Sequence, residues 1–340
     1  MSWTKKVKII SVTFALLIML ITSFLLIHGF SDTASGPFSS VSGNSYANSG
    51  IDGLSAALIA PDSPDMSVSS GIKTAPENEL ALLESNNYIT FALDETDIAR
   101  GSLILVNYDN NYIIPDERVL SCLAELKTSS YRISDNDLLL SGLMIGPLNN
   151  MMDAFYNETG CDTVTIISAY RDYERQDEIY NEYTYLVGQN DANKWAAFPG
   201  HSEHHTGLAV DFGIIRSGVL RTFLGNDIYE WFFLNCYEYG FINRYPEDKN
   251  EITKTVYEPW HFRYVGLPHA FFIHQNGFCF EEYIEYVKCF TRDNPYRATY
   301  NDDTYEIYYT KDYEIPVPVG CKVDISGNNE DGFIVTIKCT

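Results

Sequence analysis

The stretch TVTIISAY, residues 163–170, is rich in β-branched side chains and predicts a buried strand that runs into Arg171. DYERQDEIYNEYTYLVG follows with helical spacing and is closed by Gly188. LAVDF reads as a short strand whose alternation puts Ala209 and Asp211 on one face and Leu208 and Val210 on the other. An Asp-rich start followed by apolar residues at helical spacing predicts a helix over 135–156. DIYEWFFLNCYEY predicts another over 227–239, with Gly240 as its cap. GSLILVNYDNNYIIP, 101–115, has a strand-like apolar core ended by an Asp-Asn-Asn turn signal. EPWHFRYV, 258–265, reads as an entry turn and a strand with Pro259 at its start, where a missing N–H is tolerated. After about Lys288, apolar and polar residues alternate around Gly-Asn-Asn turns, which predicts a small β appendage over 289–340.

The amino-terminal pattern is different. Lys5, Lys6 and Lys8 precede an apolar run from Ile9 to Phe30, and about 20 apolar residues cross a bilayer as helix. The run exceeds the core of a cleaved signal peptide, so 1–30 is expected to be a cytoplasmic stub and retained single-pass anchor. The lysines favour the cytoplasmic side, which puts the rest of the chain outside. Residues 31–77 are mostly Ser, Gly, Asn, Ala and Pro and predict a flexible tether, leaving 78–288 as the main folded domain.

With 45% hydrophobic residues among 340, the chain can bury a full core. A formal charge of -23 argues against nucleic acid as a partner. The seven cysteines contain no CxxC pair, which removes a thiolate zinc ribbon. Cys279 with Cys289, and Cys321 with Cys339, are the nearest candidates for disulfides.

Candidate chemistry concentrates in HSEHHTGLAVDFG, from His201 to Gly213, and in the later Glu-x-x-His of Glu258 and His261. A hydrolytic zinc site takes three His or carboxylate ligands, keeps a position for water, and needs a base within reach. His204, Asp211 and His261 would supply the ligands, leaving Glu258 as a separate base. Two His and a carboxylate also describe a non-haem iron site, but that chemistry needs no base beside a ligand.

SAYRDYERQ, PGHSEHHTGLAVDFG, YGFINRYP and YEPWHFRYVG occur in this order. Together they resemble the VanY-type D-alanyl-D-alanine carboxypeptidases, zinc metallopeptidases grouped with VanX, lysostaphin-like enzymes and the hedgehog amino-terminal domain. The resemblance covers roughly 101–266. It implies an α+β fold in which a central antiparallel sheet with flanking helices carries one Zn²⁺, making 78–288 a metallopeptidase domain. It also implies His204, Asp211 and His261 as ligands, Glu258 as catalytic base, and Arg171 facing the developing oxyanion. Ser202 matches a position near the substrate's terminal carboxylate. Around these, Gln176 would fix Arg171 or cap its helix, and Tyr170 and Trp260 would contact substrate or pack. Arg244 would orient Glu258, bind a carboxylate or form a surface salt bridge. The implied activity is removal of the last D-alanine from peptidoglycan stem peptides ending in D-Ala-D-Ala. L,D-carboxypeptidase or endopeptidase activity on the same fold stays open, as does a non-catalytic wall-binding or sensing module.

Overall fold

The computed structural model describes residues 87–115 and 119–339. The apolar run and the tether fall outside them. Among the described residues no helix is long and apolar enough to cross a membrane.

In chain order the strands are β1 (Tyr88–Ala92), β2 (Leu120–Cys122), β3 (Arg132–Ile133), β4 (Leu139–Ser141), β5 (Val164–Ser168), β6 (Ala209–Arg216) and β7 (Val219–Thr222). They continue with β8 (Phe241–Asn243), β9 (His261–Tyr264), β10 (Tyr296–Tyr300), β11 (Asp303–Thr310), β12 (Glu314–Pro318), β13 (Lys322–Gly327) and β14 (Phe333–Cys339). The principal helices are α1 (Gly142–Thr159), α2 (Tyr173–Val187), α3 (Gln189–Trp195), α4 (His269–Asn276) and α5 (Phe280–Lys288).

The central sheet runs β3-β5-β6-β9-β8, with β7 also paired to β6. Its pairings are antiparallel except β3 with β5. Strand β6 is buried from Ala209 to Ile214 because it lies inside the sheet. On one face, Val210, Phe212 and Phe262 pack with Met144, Leu148, Met151 and Phe155 of α1. The Phe212 and Phe262 rings stack with centroids 4.4 Å apart. Alternation then turns Asp211 and His261 to the other face.

Two predicted elements differ from the structure. The helix expected from Asp135 begins only at Gly142, because Leu139–Ser141 extends to pair with β2 and the Ser141 hydroxyl caps the helix at Leu143 N. The strand expected within 101–115 does not form, although Leu103 to Val106 are buried. Its backbone is satisfied outside any ladder: Leu103 N donates to Ser326 Oγ, Leu105 N to Asn328 O, and Arg263 Nη2 donates to Ser102 O and Ile104 O. Asn329 Nδ2 further donates to Leu105 O and Asn111 O.

The carboxy-terminal strands form the sheet β10-β11-β14-β13, while β12 pairs with β1. Ile307 and Ile334 share a core with Leu103, Val265, Phe272 and Ile284, so these strands pack against α4, α5 and the 103–105 segment. Cys279 and Cys289 are both free. They stand at opposite ends of α5, about 15 Å apart at 1.5 Å per residue, beyond a disulfide's reach of about 7 Å. Cys321 is free as well, and the Cys339 side chain lies outside the described residues.

Candidate metal centre

His204 sits on a short 3₁₀ turn, Glu203–Thr206, opened by Ser202 and closed by Gly207 at φ 71°. A Cβ at Gly207 would lie 2.8 Å from Leu120 Cδ2 and 3.0 Å from Ser141 N, so only glycine fits there. The turn brings the imidazole over the polar face of β6. There Asp211 pairs directly with His261 of β9. One ligand atom from each of His204, Asp211 and His261 falls within 4.8 Å of the others. Asp211 Oδ2 is 3.2 Å from His204 Nε2, and Asp211 Oδ1 is 3.1 Å from His261 Nδ1.

Both imidazoles are oriented from behind. His204 Nδ1 bonds Ala169 O at 2.6 Å, which turns Nε2 inward. His261 Nε2 faces Glu203 Oε2 at 3.2 Å, which turns Nδ1 inward. Such backing by carbonyls and carboxylates is how metal-ligating histidines are held. Asp211 Oδ1 is buried, and its nearest donor, His261 Nδ1 at 3.1 Å, is too poorly aligned to satisfy it fully. A buried carboxylate oxygen left underbonded is costly, and a cation among the three donors would satisfy it.

The protonation states suit such a cation. Burial, with Arg171 nearby, lowers His204 to about 4, so its ring is neutral. Burial opposes ionisation of Asp211, but His204, His261 and Arg171 outweigh it and hold the carboxyl well below its ordinary range. Burial likewise opposes a charged His261; its bonds to Asp211 and Glu203 prevail and raise it to about 9. A metal ion would displace that proton. Glu258 behaves differently. Burial, reinforced by Asp211 and Glu203, raises its carboxyl to about 7, and Oε2 lies 3.7 Å from His261 Nδ1.

The family model for VanY, D-alanyl-D-alanine carboxypeptidase, matches residues 141–267. A D-alanyl-D-alanine carboxypeptidase of Enterococcus faecium is 34% identical over 261 residues, spanning 74% of this chain and 80% of the relative. The chain belongs to the VanY family. A crystal structure of the vancomycin-resistance D,D-dipeptidase VanXYg, in complex with a D-Ala-D-Ala phosphinate analogue, matches with a TM-score of 0.67 and 33% identity. That match covers 74% of this chain and 99% of the other. The bifunctional D-Ala-D-Ala dipeptidase and carboxypeptidase VanXYC of Enterococcus gallinarum is 38% identical over 128 residues, 36% of this chain and 67% of the relative.

The VanY-type motifs place their other residues unevenly. Arg171 lies against the centre: Nη2 is 2.7 Å from Asp211 Oδ2, while Nη1 donates to Gln176 Oε1 at 3.1 Å and Nε to Ser168 Oγ at 2.9 Å. Gln176 therefore fixes the arginine; Asp172 caps the helix. Ser202 is buried, and its hydroxyl accepts from His204 N at 3.4 Å. Tyr170 is half-buried between β5 and Arg171, its N–H bonded to Leu139 O. Trp260 packs half-buried against the main core.

Arg244 forms no surface salt bridge, and the carboxylates it binds are the protein's own. It is fully buried, donating to Glu203 Oε1 at 2.7 Å and to both oxygens of Glu281 at 2.6 and 2.9 Å, away from the surface. Arg263 joins it through Glu203 Oε1 at 3.0 Å. The sequence reading missed this buried network of Glu203, Arg263 and Glu281. One signal was available: strand alternation puts Arg263 on the same face as His261.

Proposed function

We propose that this chain is a zinc-dependent D,D-carboxypeptidase that removes the terminal D-alanine from peptidoglycan stem peptides. One observation carries the reading. A buried His-Asp-His donor set with an unsatisfied carboxylate oxygen stands 3.7 Å from a carboxyl raised to about 7. Zn²⁺ held by His204, Asp211 and His261 would supply a Lewis acid that lowers the pKa of water and polarises the scissile carbonyl.

The remaining work falls to the chain's own side chains. Glu258, poised near neutrality, takes a proton from the attacking water and delivers it to the leaving amine of D-alanine. Arg171, clamped by Gln176 and Ser168, presents fixed positive charge where the carbonyl oxygen becomes an oxyanion. Ser202 stands within the same loop, where the substrate's terminal carboxylate would enter. The apolar run ahead of the domain would hold it outside the cytoplasmic membrane, where its substrate is. Incubating the purified protein with synthetic tri-, tetra- and pentapeptide stems tests the reading by mass spectrometry. Chelator-sensitive release of D-alanine from the pentapeptide is the expected result. Release from the tetrapeptide alone would make it an L,D-carboxypeptidase, and no release at all a binding module.

A further inference from the structure

His205 directly follows His204 and is fully buried, yet both of its ring nitrogens are committed outside the donor set. Nδ1 lies 2.7 Å from the carbonyl oxygen of Arg171. Nε2 accepts from the Gly200 N–H at 3.0 Å. A carbonyl only accepts and a backbone N–H only donates, so the ring is neutral with its proton on Nδ1. The Tyr173 ring covers this imidazole at a centroid distance of 4.7 Å, and its hydroxyl donates to Tyr112 O. Tyr112 N in turn donates to Gly200 O at 2.7 Å, which fixes the far end of the bridge. The grip on Arg171 is double. Arg171 N donates to His204 O at 3.2 Å, so two consecutive residues of the ligand-bearing turn hold the arginine backbone at its amide and at its carbonyl. Gln176 and Ser168 hold only the guanidinium end. The root of the side chain is thereby registered to the turn that carries His204, and its tip reaches Asp211 Oδ2 at 2.7 Å.

We propose that His205 is a positioning residue: its imidazole bridges Gly200 and Arg171 and sets where the Arg171 guanidinium stands when the scissile carbonyl oxygen gains charge. This rests on the peptidase reading above. Nitrogen NMR of the wild-type imidazole should show the His205 proton on Nδ1 alone; a proton on Nε2 would break the bridge and overturn the proposal. His205→Phe keeps a flat ring against Tyr173 and removes both bonds. It is expected to lose about 10–100-fold in kcat on the pentapeptide stem, with KM within about twofold of wild type and zinc content unchanged. His205→Gln, whose amide offers one donor and one acceptor, should recover most of that loss. In an Arg171→Ala background His205→Phe should cost less than about twofold more, because the group it positions is gone. Additive losses in that cycle would overturn the proposal, as would lost zinc or an unchanged kcat in His205→Phe. If His205→Phe does not fold, His205→Asn, too short to span both partners, takes its place in the cycle. If the wild-type protein leaves every stem intact, it is the peptidase reading that fails. His205 is then judged on the Arg171 Nε–H resonance, where a shift in His205→Phe that His205→Gln reverses supports the positioning and an unmoved resonance refutes it.

Discussion

Asp211 and His261 face each other as direct cross-strand partners on β6 and β9, Oδ1 and Nδ1 3.1 Å apart. Because strand side chains alternate, a one-residue slip of β9 would set Phe262 or Trp260 opposite Asp211 and turn the His261 imidazole to the other face. The stacked Phe212 and Phe262 rings on the reverse face hold the register. Phe262→Ala should cost about 3–5 kcal/mol in urea unfolding and weaken metal binding without touching a ligand. Unchanged metal affinity in that variant would separate the core from the centre.

Removing ligands and removing the base should have different signatures. His204→Ala and Asp211→Asn are expected to purify without stoichiometric zinc, as read by elemental analysis. Glu258→Gln should keep zinc and lose on the order of 10²–10⁴-fold in kcat. A fully active Glu258→Gln would move the proton transfer to another group.

Glu203 places one carboxylate between Arg244, Arg263 and His261. Although burial opposes it, the two arginines keep Glu203 ionised. Glu203→Gln leaves the buried Arg263 guanidinium without its carboxylate partner, while Arg244 keeps Glu281, a loss of about 3–5 kcal/mol. It also frees His261 to rotate, which should weaken zinc affinity about 10–100-fold. Chelator competition and denaturant titration measure the two effects separately.

His269 is buried on α4, bonded through Nδ1 to Tyr283 OH and through Nε2 to Thr336 Oγ1. Burial lowers it from 6.5 to about 3. The unfolded chain therefore takes up a proton below about pH 6.5 that the folded chain refuses, so acidification favours unfolding down to about pH 3. Between pH 7 and pH 5 this group should remove about 2 kcal/mol of stability. His269→Gln abolishes that titration, and its stability should fall less over the same interval. Parallel curves for the two proteins would remove His269 from the acid response.

The donor set was legible because its chemistry is confined to few residue types: His204, Asp211, Glu258 and His261 stand close in motif and close in space. Strand β5 and helix α2 were equally plain, since β-branched runs and a capped periodic stretch depend on local preferences. What escaped was long-range. Arg244 reads the same on the surface as in a buried cluster, and only the fold supplies Glu203 and Glu281 as its partners. The 101–115 segment carries a strand's pattern, but its backbone partners are side chains and a turn near the end of the chain.

Arg263 stands two residues after His261, yet its Nη2 acceptors are the carbonyls of Ser102 and Ile104, in a segment whose Leu103 and Leu105 are pinned by Ser326, Asn328 and Asn329. A version cut to the stretch 141–267 would keep the His-Asp-His donor set but lose both Nη2 acceptors of Arg263 and the Glu281 partner of Arg244. Engineering of this protein therefore has to treat residues 102–329 as indivisible, because the scaffold that keeps the ligands aimed is threaded from both flanks.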